Sequence, residues 1–292
     1  MINGGLGMAK IGIIGGSGLY DMEGLKNVKE LEIDTPFGEP SDKYITGILS
    51  GKEVVFLPRH GRGHRLSPSE INYCANIYGM KKLGVEWIIS VSAVGSLKDN
   101  VHPQDIVIPD QFFDRTNQGR KCSFFGDGVV AHISFANPVC QDLSKILYET
   151  VKKIGLRVYN GGTYLNMEGP AFSTKAESFF YRRMGFDVIG MTNLLEAKLA
   201  REAEICYGTM AMVTDYDCWH ETEEIVSVET IIANLNKNSE NAKKIIKAVV
   251  KEISSERKCE CANALATAII TDRSIISSQA KDKLSVIAGK YL

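Results

Sequence analysis

Three arginines and two histidines fall within seven residues in Pro58-Arg59-His60-Gly61-Arg62-Gly63-His64-Arg65. A guanidinium can grip an oxyanion through two parallel N–H groups, and an imidazole adds another bond, so the pattern suits phosphate or a similar anion. The plainer alternative is a solvated basic loop. A zinc site at His60 and His64 is disfavoured, because their spacing lies among glycines and lacks the Glu of H-E-x-x-H. No metal is expected. Three other stretches offer donors of the same kind. Gly15-Gly16-Ser17-Gly18 lets backbone N–H groups come close to a ligand and adds a hydroxyl. It is not G-x-G-x-x-G, since Asp21 takes the last position; no Lys-[Ser/Thr] makes it a Walker loop, and Leu19 spoils G-x-S-x-G. Ser90-Val91-Ser92-Ala93-Val94-Gly95-Ser96 and Gly190-Met191-Thr192, with Glu196 in the following helix, supply further small polar groups. Together they describe one oxyanion pocket assembled from separate loops. A fifth stretch, Val213-Thr214-Asp215-Tyr216-Asp217, carries two carboxyls at i and i+2. Such a pair can bind a cation, cap a helix or hold a polar heterocycle. Beside an anion, with few other carboxyls nearby, recognition of a heterocyclic base is preferred. A protonated carboxyl in a closed site could donate to a leaving ring nitrogen.

Each stretch follows or ends a short apolar run, at 11–16, 53–57, 86–92, 186–191 and 206–214, with another run at 106–108. Short β-branched runs separated by helical patterns define an α/β chain with a buried central sheet, whose carboxyl ends line a ligand crevice. Ser67-Pro68-Ser69-Glu70 predicts a helix start, running to about Leu83 and stopped by Gly84. Thr174-Lys175-Ala176-Glu177 predicts a capping box and a helix to about Met184. A long amphipathic helix follows Ser227, with Ile231, Ile232, Leu235, Ile245, Ile246, Val249 and Val250 on its apolar side. The segment from about 255 to 292 reads as largely helical. Residues 1–292 form one domain in this reading.

Composition narrows the partners. Thirty-four Lys and Arg against 35 Asp and Glu leave a net charge of −1, which supplies no field for nucleic acid or an anionic membrane. No stretch approaches the ~18 apolar residues of a membrane span and the N-terminus lacks a signal-like apolar core, so a cytoplasmic protein is expected. Seven cysteines, an odd number, argue against a secreted disulfide framework.

Taken together, IGIIGGSGLY, TPFGEPSD, FLPRHGRGH, INYCANIYGMKKLGV, SVSAVGSL, DIVIPDQFFDRT, MEGPAFSTKAES and MVTDYDCW resemble the 5′-methylthioadenosine phosphorylases of the trimeric purine nucleoside phosphorylase superfamily, in the family's order and over roughly residues 10–255. The resemblance implies a mixed, partly barrel-like β-sheet flanked by helices in a single domain. It implies phosphate held by Ser17, Arg59, His60, Ser92, the Ala93 N–H and Thr192. Met191 would lie along the ribose, with Glu168 near it. Phe172, Ser173, Asp215 and Asp217 would surround the purine. Val228 would face the 5′ substituent, and His132 would reach that end of the site in a neighbouring subunit. Phosphate is then a co-substrate and no cofactor is needed; the assembly is a trimer or a pair of trimers. Asp215 would serve the leaving purine. Relatives preferring 6-oxopurines carry Asn there and those preferring 5′-hydroxyl nucleosides carry His at position 228, so Asp and Val together favour methylthioadenosine. The rivals are a phosphorylase of inosine, guanosine or adenosine, a hydrolytic nucleosidase and a non-catalytic nucleotide binder. Leu195 departs from the family's usual Pro. The Cys259-Glu260-Cys261 pair is similar to one in heat-stable members, where it accompanies intrachain disulfides; Cys140 and Cys206 would be the matching pair here, with buried free thiols the preferred state in a reducing compartment.

Overall fold

The computed structural model describes residues 10–16, 19, 21–220 and 228–292, giving the backbone alone for 228–232. Its strands are β1 (Ile11–Gly15), β2 (Lys26–Leu31), β3 (Tyr44–Leu49), β4 (Lys52–Pro58), β5 (Trp87–Ser96), β6 (Ile106–Ile108), β7 (Gln111–Arg115), β8 (Val158–Asn160), β9 (Thr163–Met167), β10 (Val188–Gly190) and β11 (Cys206–Asp215). Its helices are α1 (Tyr73–Lys82), α2 (Gln141–Ile154), α3 (Lys175–Arg183), α4 (Asn193–Glu202), α5 (Val228–Glu252) and α6 (Ser278–Ala288).

All eleven strands belong to one mixed sheet, and β5 is its pivot. Along one edge β5 pairs first with β1, in parallel, and then with β10, antiparallel; along its other edge it pairs in parallel with β11. One strand thus serves two branches, which curls the sheet into the partly barrel-like form the sequence implied. Strand β1 shows why the core has two sides. Its pleat sends Ile11 and Ile13 toward a cluster with Leu143, Leu147, Ile245, Ile246, Val249 and Val250 of α2 and α5. Ile14 joins the opposite cluster, with Ile77, Leu199, Ala200 and Leu284 of α1, α4 and α6. Both faces are covered, so the strand is apolar throughout.

Several expectations need correcting. The ring between Ser67 and Glu70 exists, since Glu70 Oε2 accepts from Ser67 N and Oγ at 2.9 and 2.6 Å, but it closes a turn. Helix α1 begins later, where Asn72 accepts from the Ala75 N–H. The Thr174–Glu177 capping box is present. Leu235, placed on the apolar side of α5, is 39% exposed. The C-terminal segment is only partly helical: two short 3₁₀ turns set among turns and bends, then α6 with a third 3₁₀ turn directly after it. No helix among the described residues is long and apolar enough to cross a membrane.

Candidate active site

Strands β1, β4, β5 and β11 run parallel and end on the same side. The ladder between β1 and β4 continues one step further, with Arg59 N donating to Gly15 O at 2.9 Å. That step holds the Arg/His loop beside the Gly15-Gly16 turn. The pairing Ile189↔Gly95 lays Gly190–Thr192 alongside the second half of β5. On the far edge of β5, Asp215 stands opposite Gly95 across a bulge. A Cβ at Gly95 would lie 3.1 Å from Asp215 Oδ1 and 3.3 Å from Asp217 Cβ, so the missing side chain is what lets both acids close over β5.

These strand ends enclose a cavity of about 340 Å³, within the range of small-molecule sites. Arg59, His60, Ser92, Ala93, Met191, Thr192, Phe172, Asp215 and Asp217 all line it, joined by His64, Gly95 and Leu235. A second cavity of about 330 Å³ shares Arg59, His60, His64, Ser92, Ala93 and Leu235 and extends toward Gly16, Leu19 and Asn238. Phe172 is an exposed rim residue at 73% accessibility. Ser173 and His132 do not line either cavity; His132 is exposed, its N–H bonded to Ala268 O. Ser17 and the side chain of Val228 lie outside the described residues.

Arg59 departs from the bidentate grip expected of it. The two-pronged edge of its guanidinium faces Glu196, with Nε and Nη2 donating at 2.5 and 3.2 Å. Nη2 also donates to Ser90 Oγ and Nη1 to the Val91 carbonyl. Of five N–H groups, only the second on Nη1 has no partner among the described residues and remains for a ligand. Glu196 in turn accepts from Ser90 Oγ and Tyr207 O–H at 2.8 and 2.9 Å. The ion pair is fully buried, and the paired acid holds the guanidinium ionised against desolvation.

His60 is tuned toward neutrality. Burial and the adjacent Arg59 charge push its imidazole down to about 4. Nδ1 lies 2.8 Å from the Leu66 carbonyl, which can only accept, so Nδ1 carries the proton and Nε2 is left as an acceptor. His64 stacks on it, centroids 4.2 Å apart. Thr192 stands at the N-cap position of α4 without a side-chain capping bond, its hydroxyl donating to Asn193 Oδ1 at 3.1 Å. The Leu194 N–H is taken by Asn166 Oδ1 at 3.2 Å, and the positive end of the helix still favours an anion. Leu195 sits in the first turn of that helix and is buried in the core, so α4 forms without the Pro.

Two residues that line the first cavity carry a buried side-chain oxygen without a hydrogen bond of good geometry among the described residues: Ser92 Oγ, which has the Tyr164 hydroxyl nearby, and Asp217 Oδ2. Burial raises the Asp217 carboxyl, an effect partly offset by the Ser178 hydroxyl, which is nearby without a hydrogen bond of good geometry. Asp215 Oδ2 accepts from Thr214 Oγ1 at 2.6 Å.

Glu168 is turned away from the cavity. Its carboxylate accepts from Ser69 Oγ, from the N–H groups of Asn117 and Gln118 at 2.8 and 3.2 Å, and from Arg120 Nε at 2.7 Å. Arg120, absent from the motifs read in the sequence, also donates from Nη1 to the Met191 carbonyl at 2.7 Å and so fixes the backbone leading to Thr192. Burial would raise the Glu168 carboxyl, but bonds from Ser69, Asn117 and Arg120 outweigh it and hold it at about 2. A depressed acid contributes stability above its unfolded value of 4.5 and loses it as pH falls toward 2. The thermal midpoint is therefore expected to fall over that window, and to fall less steeply in Glu168→Gln, as read by calorimetry across the pH series.

Residues 10–251 match the model of the phosphorylase superfamily, and the chain belongs to that superfamily. The likeness extends to named members. The S-methyl-5′-thioadenosine phosphorylase of Geobacter sulfurreducens is 61% identical over 97% of this chain and 99% of its own length. A crystal structure of a methylthioadenosine phosphorylase from an Antarctic soil metagenomic library superposes with a TM-score of 0.92, at 50% identity over 96% of this chain and 99% of that one. The Schistosoma mansoni methylthioadenosine phosphorylase in complex with adenine gives 0.82 at 35% identity, over 88% and 96%.

Proposed function

We propose that the chain cleaves the N-glycosidic bond of 5′-methylthioadenosine with inorganic phosphate, yielding adenine and 5-methylthioribose 1-phosphate. The observation that carries this reading is the single cavity whose lining joins Arg59, Ser92 and Thr192 to the acids Asp215 and Asp217. A hydroxyl beside Arg59 and the α4 N-terminus suits an oxyanion; a carboxyl with a raised affinity for its proton suits a purine.

Phosphate sits against the Nη1 N–H of Arg59, the hydroxyls of Ser92 and Thr192, and the Ala93 N–H, with Ser17 as a further donor. Because His60 presents a lone pair at Nε2, it accepts from the remaining P–OH of hydrogen phosphate. A phosphate oxygen attacks the anomeric carbon as the bond to N9 breaks, and that electron pair passes into the purine. Asp215 supplies a proton to N7, and Asp217 orients it or meets the 6-amino group. The sugar's developing positive charge lies over the bound phosphate, which stabilises it and is already in position to bond. Met191 borders the ribose, Val228 walls the 5′-methylthio group, and Phe172 flanks the base at the rim. His132, exposed and away from its own cavity, serves the neighbouring site in a homotrimer or a pair of trimers. Apolar surface at Phe113, Phe179 and Phe180 supports such association.

Removing phosphate separates phosphorolysis from hydrolysis. Adenine release from methylthioadenosine is expected to fall about a hundredfold or more in phosphate-free buffer, and inosine to be turned over far more slowly than methylthioadenosine. Phosphate-independent release would establish a hydrolase, and equal turnover of inosine a general purine nucleoside phosphorylase.

A further inference from the structure

Four of the seven cysteines, drawn from three distant parts of the chain, meet at one point outside the site described above. Cys140 is the N-cap of α2, Cys206 opens β11, and Cys259 and Cys261 flank the start of a short 3₁₀ turn in the C-terminal segment. Their sulfurs all lie within 4.8 Å of one another, and Cys206 Sγ is 3.2 Å from Cys259 Sγ. Each is a free thiol in this structure. We infer that these four thiolates form a structural site for a single zinc ion, with tetrahedral all-sulfur coordination.

Geometry and donor chemistry both support this. Zinc–sulfur bonds of ~2.3 Å in a tetrahedron place sulfurs about 3.8 Å apart, so small adjustments bring all four onto one ion. An all-thiolate tetrahedral set selects zinc over the hard divalent cations. Binding exchanges four S–H protons for one Zn²⁺ with no change of oxidation state, leaving a centre of charge −2. Arg201 borders it, its guanidinium held by the carbonyls of Ser134 and Asn137 at 3.1 and 2.6 Å. The first turn of α2 presents its positive end to Cys140. A cavity of about 660 Å³, lined by Cys140, Cys259, Cys261 and Arg201, opens onto the cluster and gives the ion a route in. The site also has something to hold. The segment after α5 adds no strand to the sheet, and a metal there would staple it to β11 and α2. Two disulfides would use the same four sulfurs as pairs rather than as one shell.

Thiol and metal counts on the whole protein distinguish these states. Protein expressed in zinc-supplemented medium and purified without chelator is expected to carry about one zinc per chain by mass spectrometry. Denatured with chelator and no reductant, it should show all seven cysteines reactive to a thiol reagent, and chelation of the native protein should lower its thermal midpoint. Cobalt(II) added to the zinc-free protein should produce the visible absorption of a tetrahedral thiolate centre, and Cys259→Ala/Cys261→Ala should abolish it. Only three reactive thiols, with an intact mass lighter by four hydrogens, would mean disulfides and overturn the proposal. So would seven reactive thiols without metal after incubation with zinc. Should the double variant not fold, the wild-type metal content and thiol count decide the matter.

Discussion

Asp215→Asn is expected to lower kcat for methylthioadenosine phosphorolysis by about two to four orders of magnitude, the usual range for loss of a positioned general acid. An amide can still hydrogen-bond the purine, through its N–H₂ to N7 and its carbonyl to the 6-amino group, but it has no proton to transfer. Binding of adenine should therefore weaken far less than turnover. Phosphate affinity should be almost unchanged, because the oxyanion contacts proposed above come from the ends of β4 and β5 and the start of α4 rather than from the end of β11. Steady-state kinetics with calorimetric titration of phosphate into both proteins tests the split. Undiminished kcat would remove Asp215 from its role. Asp217→Asn is the informative companion: Asp217 is the acid with a buried unpartnered oxygen and a raised proton affinity. A larger loss there than at Asp215 would transfer the proton-donating role to it.

The parallel strand ends were legible because β-branched runs give way to Gly, Ser or charged residues near them, although β5 itself continues past the expected end at Ser92, through Gly95 to Ser96. Strands β2, β3, β7, β8 and β9 were not. Lys26–Leu31 is an exposed, mostly polar edge strand, with neither an apolar run nor clean alternation to mark it, and Val158–Asn160 is three residues long. The site divides in the same way. Local motifs named the residues that line the cavity, since Gly-rich loops and clustered donors are properties of a few adjacent positions. Orientation depended on partners far away in the chain. Arg59 was read as a two-pronged anion clamp, but its partner Glu196 lies 137 residues on and takes that edge. Arg120 stands alone in a polar loop, and only the fold brings Glu168 and the Met191 carbonyl to it. Four cysteines from three segments likewise meet only once α2, β11 and the C-terminal turn are in place.

Glu196→Ala should be the most destabilising of these changes, by about 3–5 kcal/mol, because it strands a buried guanidinium without its counter-ion. Ser90 and Tyr207 lose an acceptor as well. For a chain of this size, that corresponds to a fall in thermal midpoint on the order of 10 °C by calorimetry. The sign of the phosphate effect gives the sharper test. In the wild type Arg59 is already neutralised, so phosphate meets one N–H and no unbalanced charge from that residue. In Glu196→Gln the shape is kept and the charge removed, so bound phosphate becomes the nearest anion able to compensate Arg59. Saturating phosphate is therefore expected to raise the midpoint of Glu196→Gln by more than it raises the wild type, while kcat falls because the guanidinium is free to swing toward the oxyanion and displace it from the anomeric carbon. Equal phosphate-induced shifts in the two proteins would show that Arg59 and the anion do not interact, and would move the phosphate site away from the end of β4.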